Sequence, residues 1–108
     1  MSAGREQDFG PGVYFEDAGG ARTLVFPFQD GNYRLADIYG IWRLGRIEGG
    51  AREGESVIVL DRGELRKLKT MADAFSFDYD EEFIEMCHEL HRFAAALPDD
   101  SFRFVANF

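Results

Sequence analysis

All twelve glycines of this 108-residue chain lie at or before Gly63, and the final 45 residues contain none. Glycine supplies the positive φ values that tight turns demand and weakens the interior of a helix or strand. The first part of the chain therefore reads as short strands separated by turns. The last part reads as long, uninterrupted elements.

Residues 13–17 and 22–28 flank Ala18-Gly19-Gly20-Ala21 and read as a β-hairpin around the Gly-Gly pair. Pro27 cannot donate a backbone hydrogen bond, so the second strand is expected to lie at an edge or to end near there. Gln29 to Asn32 is a turn cluster. In residues 33–47, Leu35, Ile38, Tyr39 and Trp42 fall at helical spacing behind an Asn32 cap. Gly40, Gly45 and the apolar run from Ile38 to Trp42 nevertheless favour a bulged strand, and a strand is the expectation here. Residues 48–55 read as an exposed loop, and Ser56-Val57-Ile58-Val59-Leu60 as a strand buried on both faces.

Asp61-Arg62-Gly63 leads into a helix whose apolar stripe is Leu65, Leu68, Ala72 and Phe75. A second helix follows an Asp80 N-cap, with Glu81 and Glu82 in its first turn and Pro98 as its stop. Its stripe is Phe83, Met86, Cys87, Leu90, Ala94 and Leu97. Residues 101–108 alternate with period two, as a final strand does. The expected fold class is α+β: an antiparallel or mixed β-sheet with two C-terminal-half helices packed on one face and a final C-terminal strand. Residues 1–12 are expected to form a flexible arm, and residues 13–108 a single domain.

With 45% apolar residues and 16 aromatic side chains, the chain can bury about 65% of the surface its unfolded form exposes, which is enough for one core without a disulfide or metal. Cys87 is the only cysteine, so no internal disulfide forms, and a reducing, cytoplasmic location is expected. The charged, glycine-rich start does not resemble an export signal. No apolar run approaches the length that spans a bilayer, so no membrane association is expected.

Chemistry-bearing residues are sparse. Cys87, His88 and His91 sit on one helix, with Cys87 and His91 at i, i+4, and no other Cys or His completes a metal site. Cys87 falls in mid-helix on the apolar stripe, where burial raises a thiol's pKa and opposes nucleophilic use. Residues 49–56 resemble a phosphate-binding loop superficially, but Glu55 stands where that loop needs lysine. Asp78, Asp80, Glu82 and Glu89 match calcium-loop spacing, yet Phe83 occupies the position that requires glycine. The expected catalytic residues, metal ligands and cofactors are therefore none.

Charge is more informative. The chain carries 20 acids and 12 bases, a net charge of −8, which disfavours nucleic acid and anionic membranes as partners. Residues 71–108 hold nine acids against Arg92 and Arg103, so this third alone contributes −7. Arg62, Arg66 and Lys69 share a face at i, i+4 and i+7, and pairing with the acidic helix is their expected role. The candidate binding surface is Phe77, Asp78, Tyr79, Asp80, Glu81, Glu82, Glu85 and Glu89: carboxylates for electrostatic steering, with Phe77 and Tyr79 as aromatic anchors. The expected function is a small acidic protein-binding module that occludes a basic partner such as a toxin or a nucleic-acid-handling protein. Bacterial or phage inhibitors, immunity proteins and antitoxins have this character. Two alternatives from other classes are a small metal-dependent or Cys/His-using enzyme domain and an oligomeric structural subunit. No motif carries a resemblance to a particular family.

Overall fold

The structure, a computed structural model, describes residues 12–27, 36–49, 55–76 and 81–107. Strands β1 (Gly12–Glu16) and β2 (Arg22–Pro27) form the hairpin expected around the Gly-Gly pair. Asp17 N donates to Ala21 O and Gly20 N to Asp17 O, both at 2.9 Å, while Asp17 Oδ1 accepts from Gly19 N and Ala21 N. Gly20 takes φ +89° at the left-handed position that such a three-residue loop requires. Gly12, expected in the arm, is the first residue of β1; residues 1–11 lie outside the described residues.

Helix α1 (Ala36–Trp42) replaces the strand expected in this stretch. Its i, i+4 pair Ile38 and Trp42 enters the core, while Gly40 lies exposed, with nothing within 4 Å of the place its Cβ would take. Apolar spacing outweighed the glycine penalty because that glycine faces solvent and blocks no packing. Gly40→Ala is therefore expected to stabilise the protein by about 0.5–1 kcal/mol, read as a higher urea midpoint with unchanged slope.

After α1, Arg43 at φ 59° and Gly45 at φ 81° turn the chain into β3 (Arg46–Gly49). This strand occupies the start of the expected exposed loop, because Arg46 to Gly49 pair with Val59 to Ser56 of β4 (Ser56–Asp61). Asp61 then caps α2 (Arg62–Ala74) in a capping box: its Oδ1 accepts from Glu64 N at 2.7 Å, and Glu64 Oε1 accepts from Asp61 N at 3.0 Å. Glu64 Oε2 also accepts from Gly45 N at 2.9 Å, joining the start of α2 to the α1–β3 turn. Phe75, expected on the α2 stripe, instead lies at its C-terminal cap and is exposed.

Helix α3 (Glu81–Ala95) and β5 (Ser101–Asn107) complete the chain. The α3–β5 connection is held by Arg62, whose Nη2 donates to Leu97 O at 2.6 Å and to Asp99 O, with the guanidinium 5.2 Å from the Phe102 ring centroid. The sheet is antiparallel throughout, in the order β2-β1-β5-β4-β3, so the last strand enters its centre. Val13, Phe15, Ile58, Leu60, Phe102 and Phe104 turn one sheet face towards the helices and share one core with them. This is the expected α+β arrangement.

Val57 and Val105, on the opposite face, are also fully buried, so β4 is buried on both faces at Val57, while Val59 on the same outer face is half-buried. Register places Leu24, Tyr14, Val105, Val57 and Glu48 in one row across this outer face, and Arg22, Glu16, Arg103, Val59 and Arg46 in the next. Among the described residues, no helix is long and apolar enough to cross a membrane.

Candidate functional site

Helix α3 is amphipathic in the expected sense. Phe83, Met86, Cys87, Leu90 and Ala94, with Ile84, are buried against the sheet. The same periodicity puts Glu81, Glu85 and Glu89 on successive turns of the outward side at i, i+4 and i+8. Glu81 and Glu85 are exposed, and neither forms a hydrogen bond or ion pair among the described residues. Glu82 and Glu89 are half-buried, and Arg92 Nη1 donates to Glu89 Oε2 in an i, i+3 pair. Among the described residues the structure thus keeps Glu81 and Glu85 free, and it pairs Glu89 within its own helix. Phe77, Asp78, Tyr79 and Asp80 lie outside the described residues, as does the expected Asp80 cap.

Three of the arginines, Arg22, Arg46 and Arg103, are engaged away from this crest. Across the outer sheet face, five ion pairs run in sequence: Glu55 to Arg22, Arg22 to Glu16, Glu16 to Arg103, Arg103 to Glu48, and Glu48 to Arg46. Arg22 grips Glu55 in a two-bonded fork at 2.7 and 3.0 Å, and meets Glu16 through Nε at 3.0 Å. The side chains of Arg22 and Glu55 are only 6% and 1% exposed, so Glu55 does not stand in the exposed loop expected of it. Burial acts to raise the Glu16 carboxyl, but the hydrogen bonds and charges of Arg103 and Arg22 outweigh it and hold the group below its ordinary value. The carboxylates of Glu55 and Glu16 in turn raise Arg22 further, against its own desolvation. Three acids and three bases of the described residues cancel here.

A similar closure occurs between the helices. Lys69 Nζ donates to Asp73 Oδ2 at 2.9 Å, and His88 Nε2 lies 2.7 Å from Asp73 Oδ1, which together lower the Asp73 carboxyl. On the basic face of α2, Lys69 therefore pairs within its own helix, and none of Arg62, Arg66 and Lys69 makes the pair with a carboxylate of α3 that charge complementarity suggested, among the described residues. Arg62 is directed to backbone carbonyls instead.

Cys87 is a free, fully buried thiol, and burial pushes its pKa up. No hydrogen bond joins it to either histidine, since His88 turns to Asp73 and His91 makes none among the described residues. No group of three or more His, Cys, Asp or Glu side chains gathers as metal ligands among the described residues.

The ion-pair chain is the constellation that sequence reasoning missed. A signal for half of it was present: a hairpin centred on residues 18–20 sets Glu16 opposite Arg22, a cross-strand pair of opposite charge. Arg103 lay on the other phase of the period-two strand, but its meeting with Glu16 needed the strand order. No family model, curated protein or solved structure matches the chain.

Proposed function

We propose that the protein is a binding module that docks the acidic crest of α3 onto a basic surface of a partner protein. In this reading it is an inhibitor of the immunity or antitoxin kind, occluding a groove that otherwise receives phosphates. The observation that carries the reading is the unequal use of charge. Arg22, Arg46 and Arg103 are committed to the sheet face, and Lys69 and Arg92 to neighbouring carboxylates, while Glu81 and Glu85 remain exposed and unpaired among the described residues.

Unpaired surface carboxylates at helical spacing act mainly through diffusional steering and register, and gain strength only when a partner desolvates them. Their position in the first turns of α3 also keeps them in a favourable orientation to the helix dipole, at little cost to the free protein. Binding through them depends strongly on salt, because each contact is weakened as the Debye length shortens.

The test is affinity capture from the native cell, followed by titration calorimetry of the captured protein at two salt concentrations. Glu81→Lys with Glu85→Lys is expected to weaken binding at least about tenfold and to flatten its salt dependence. Unchanged affinity in the double variant contradicts the proposal.

A further inference from the structure

The groove between α2 and α3 carries the opposite sign to the crest. Two adjoining depressions, of about 180 and 400 Å³, lie along it and share His91 and Ala95. Arg62, Arg66 and Lys69 line it from α2, and His88, His91 and Arg92 from α3, with Asp73 as the one carboxylate among the lining residues. Four permanent cations thus line one groove of a chain whose net charge is −8: Lys69 is paired with Asp73, Arg92 with Glu89 and Arg62 with backbone carbonyls, while Arg66 forms no ion pair among the described residues. We propose that this groove binds a small phosphomonoester-type oxyanion, gripped by Arg66 and Lys69 with His91 as a hydrogen-bond donor between them.

Three features support the assignment. Arg66 forms no ion pair among the described residues, so its guanidinium is available to the ligand. The half-buried His91 imidazole lines both depressions and makes no hydrogen bond of its own among those residues. Desolvation, Lys69 and His88 depress its protonation, while Asp73 opposes them weakly. Arg62, Arg66 and Arg92 add positive charge along the same lining, and a bound anion reverses that field.

A dianionic phosphomonoester gains from each converging cation, and arginine forks match its oxygens. A phosphodiester polymer is the poorer occupant. A strand running beyond the groove has to pass Asp73 within it and the Glu81, Glu85 and Glu89 crest beside it. The site adjoins the proposed protein-binding crest on α3, where Arg92 of its lining pairs with Glu89, but its anion grip rests on Arg66, Lys69 and His91 and uses neither Glu81 nor Glu85.

The test uses the full chain with labelled histidines, titrated by NMR with inorganic phosphate and with glycerol phosphate, against sodium chloride of equal ionic strength. Saturable His91 shifts with both phosphates, accompanied by a rise of about half a unit or more in its titration midpoint, are expected. Arg66→Gln alone, which breaks no pair among the described residues, should weaken the response several-fold. Arg66→Gln with Lys69→Gln should abolish it, and Glu81→Lys with Glu85→Lys should leave it intact. A response reproduced by chloride, one insensitive to Arg66→Gln, or tighter saturation by a single-stranded oligonucleotide than by phosphate overturns the proposal.

Discussion

Gly45→Ala is expected to destabilise the protein by about 3 kcal/mol and to lower Tm by about 10–20 °C. Gly45 takes φ 81°, where an L side chain is strained, and its missing side chain makes room for a close approach of strand β4. An added Cβ meets Leu60 Cδ2 at 2.8 Å, Ile58 Cγ1 at 2.9 Å and the Val59 carbonyl oxygen at 2.9 Å. The backbone has little freedom to retreat, because Gly45 N is already held by Glu64 Oε2. Gly49→Ala in the adjacent strand, with nothing within 4 Å of the added methyl, serves as the control and should change stability by less than about 0.5 kcal/mol. Thermal unfolding of the two variants side by side measures the difference.

Arg22→Met is expected to cost about 3 kcal/mol at neutral pH, since it keeps the aliphatic stem but leaves two poorly solvated carboxylates, Glu55 and Glu16, without their shared cation. Glu16 has a depressed pKa in the folded state. Its contribution to stability is therefore present above the unfolded value of about 4.5 and is lost as pH falls through the lower folded value. Removing Arg22 weakens that depression, so the variant loses less on acidification than the parent does. The gap between the two should be largest at neutral pH and narrower at pH about 3, below the unfolded value, because the parent loses more of the Glu16 contribution on acidification than the variant does. Urea denaturation at both pH values reads this directly. A gap that is independent of pH would show that Arg22 stabilises through packing alone.

Local features of the fold were legible in the residues. The Gly19-Gly20 hairpin, the Pro27 edge strand, the largely buried strand Val57 to Leu60 and the apolar stripe of α3 each follow from spacing or backbone chemistry within about fifteen residues. The stretch from Ala36 to Trp42 misleads because glycine counts against a helix only on average; the face it occupies decides the outcome, and that depends on the rest of the fold. The loop expectation for residues 48–55 fails at its start for a related reason: Glu48 and Gly49 belong to β3, which finds a partner in β4, while residues 50–54 lie outside the described residues.

The candidate surfaces divide in the same way. The outward spacing of Glu81 and Glu85 was visible from periodicity. Their lack of partners was not, because it depends on where the arginines go, and Arg22, Arg46 and Arg103 are drawn to the sheet by neighbours up to 87 positions away.

The most direct test of this uneven distribution of charge is a residue-by-residue map of surface potential, from NMR relaxation of amide protons by nitroxide cosolutes of opposite charge. The cationic nitroxide should relax the amides of residues 81–85 more than the anionic one, the order should reverse at Arg66, Lys69 and His91, and the strands bearing Glu16 and Arg103 should show little contrast. A crest that attracts neither probe over the other, or that favours the anionic one, contradicts the claim that α3 carries free negative charge.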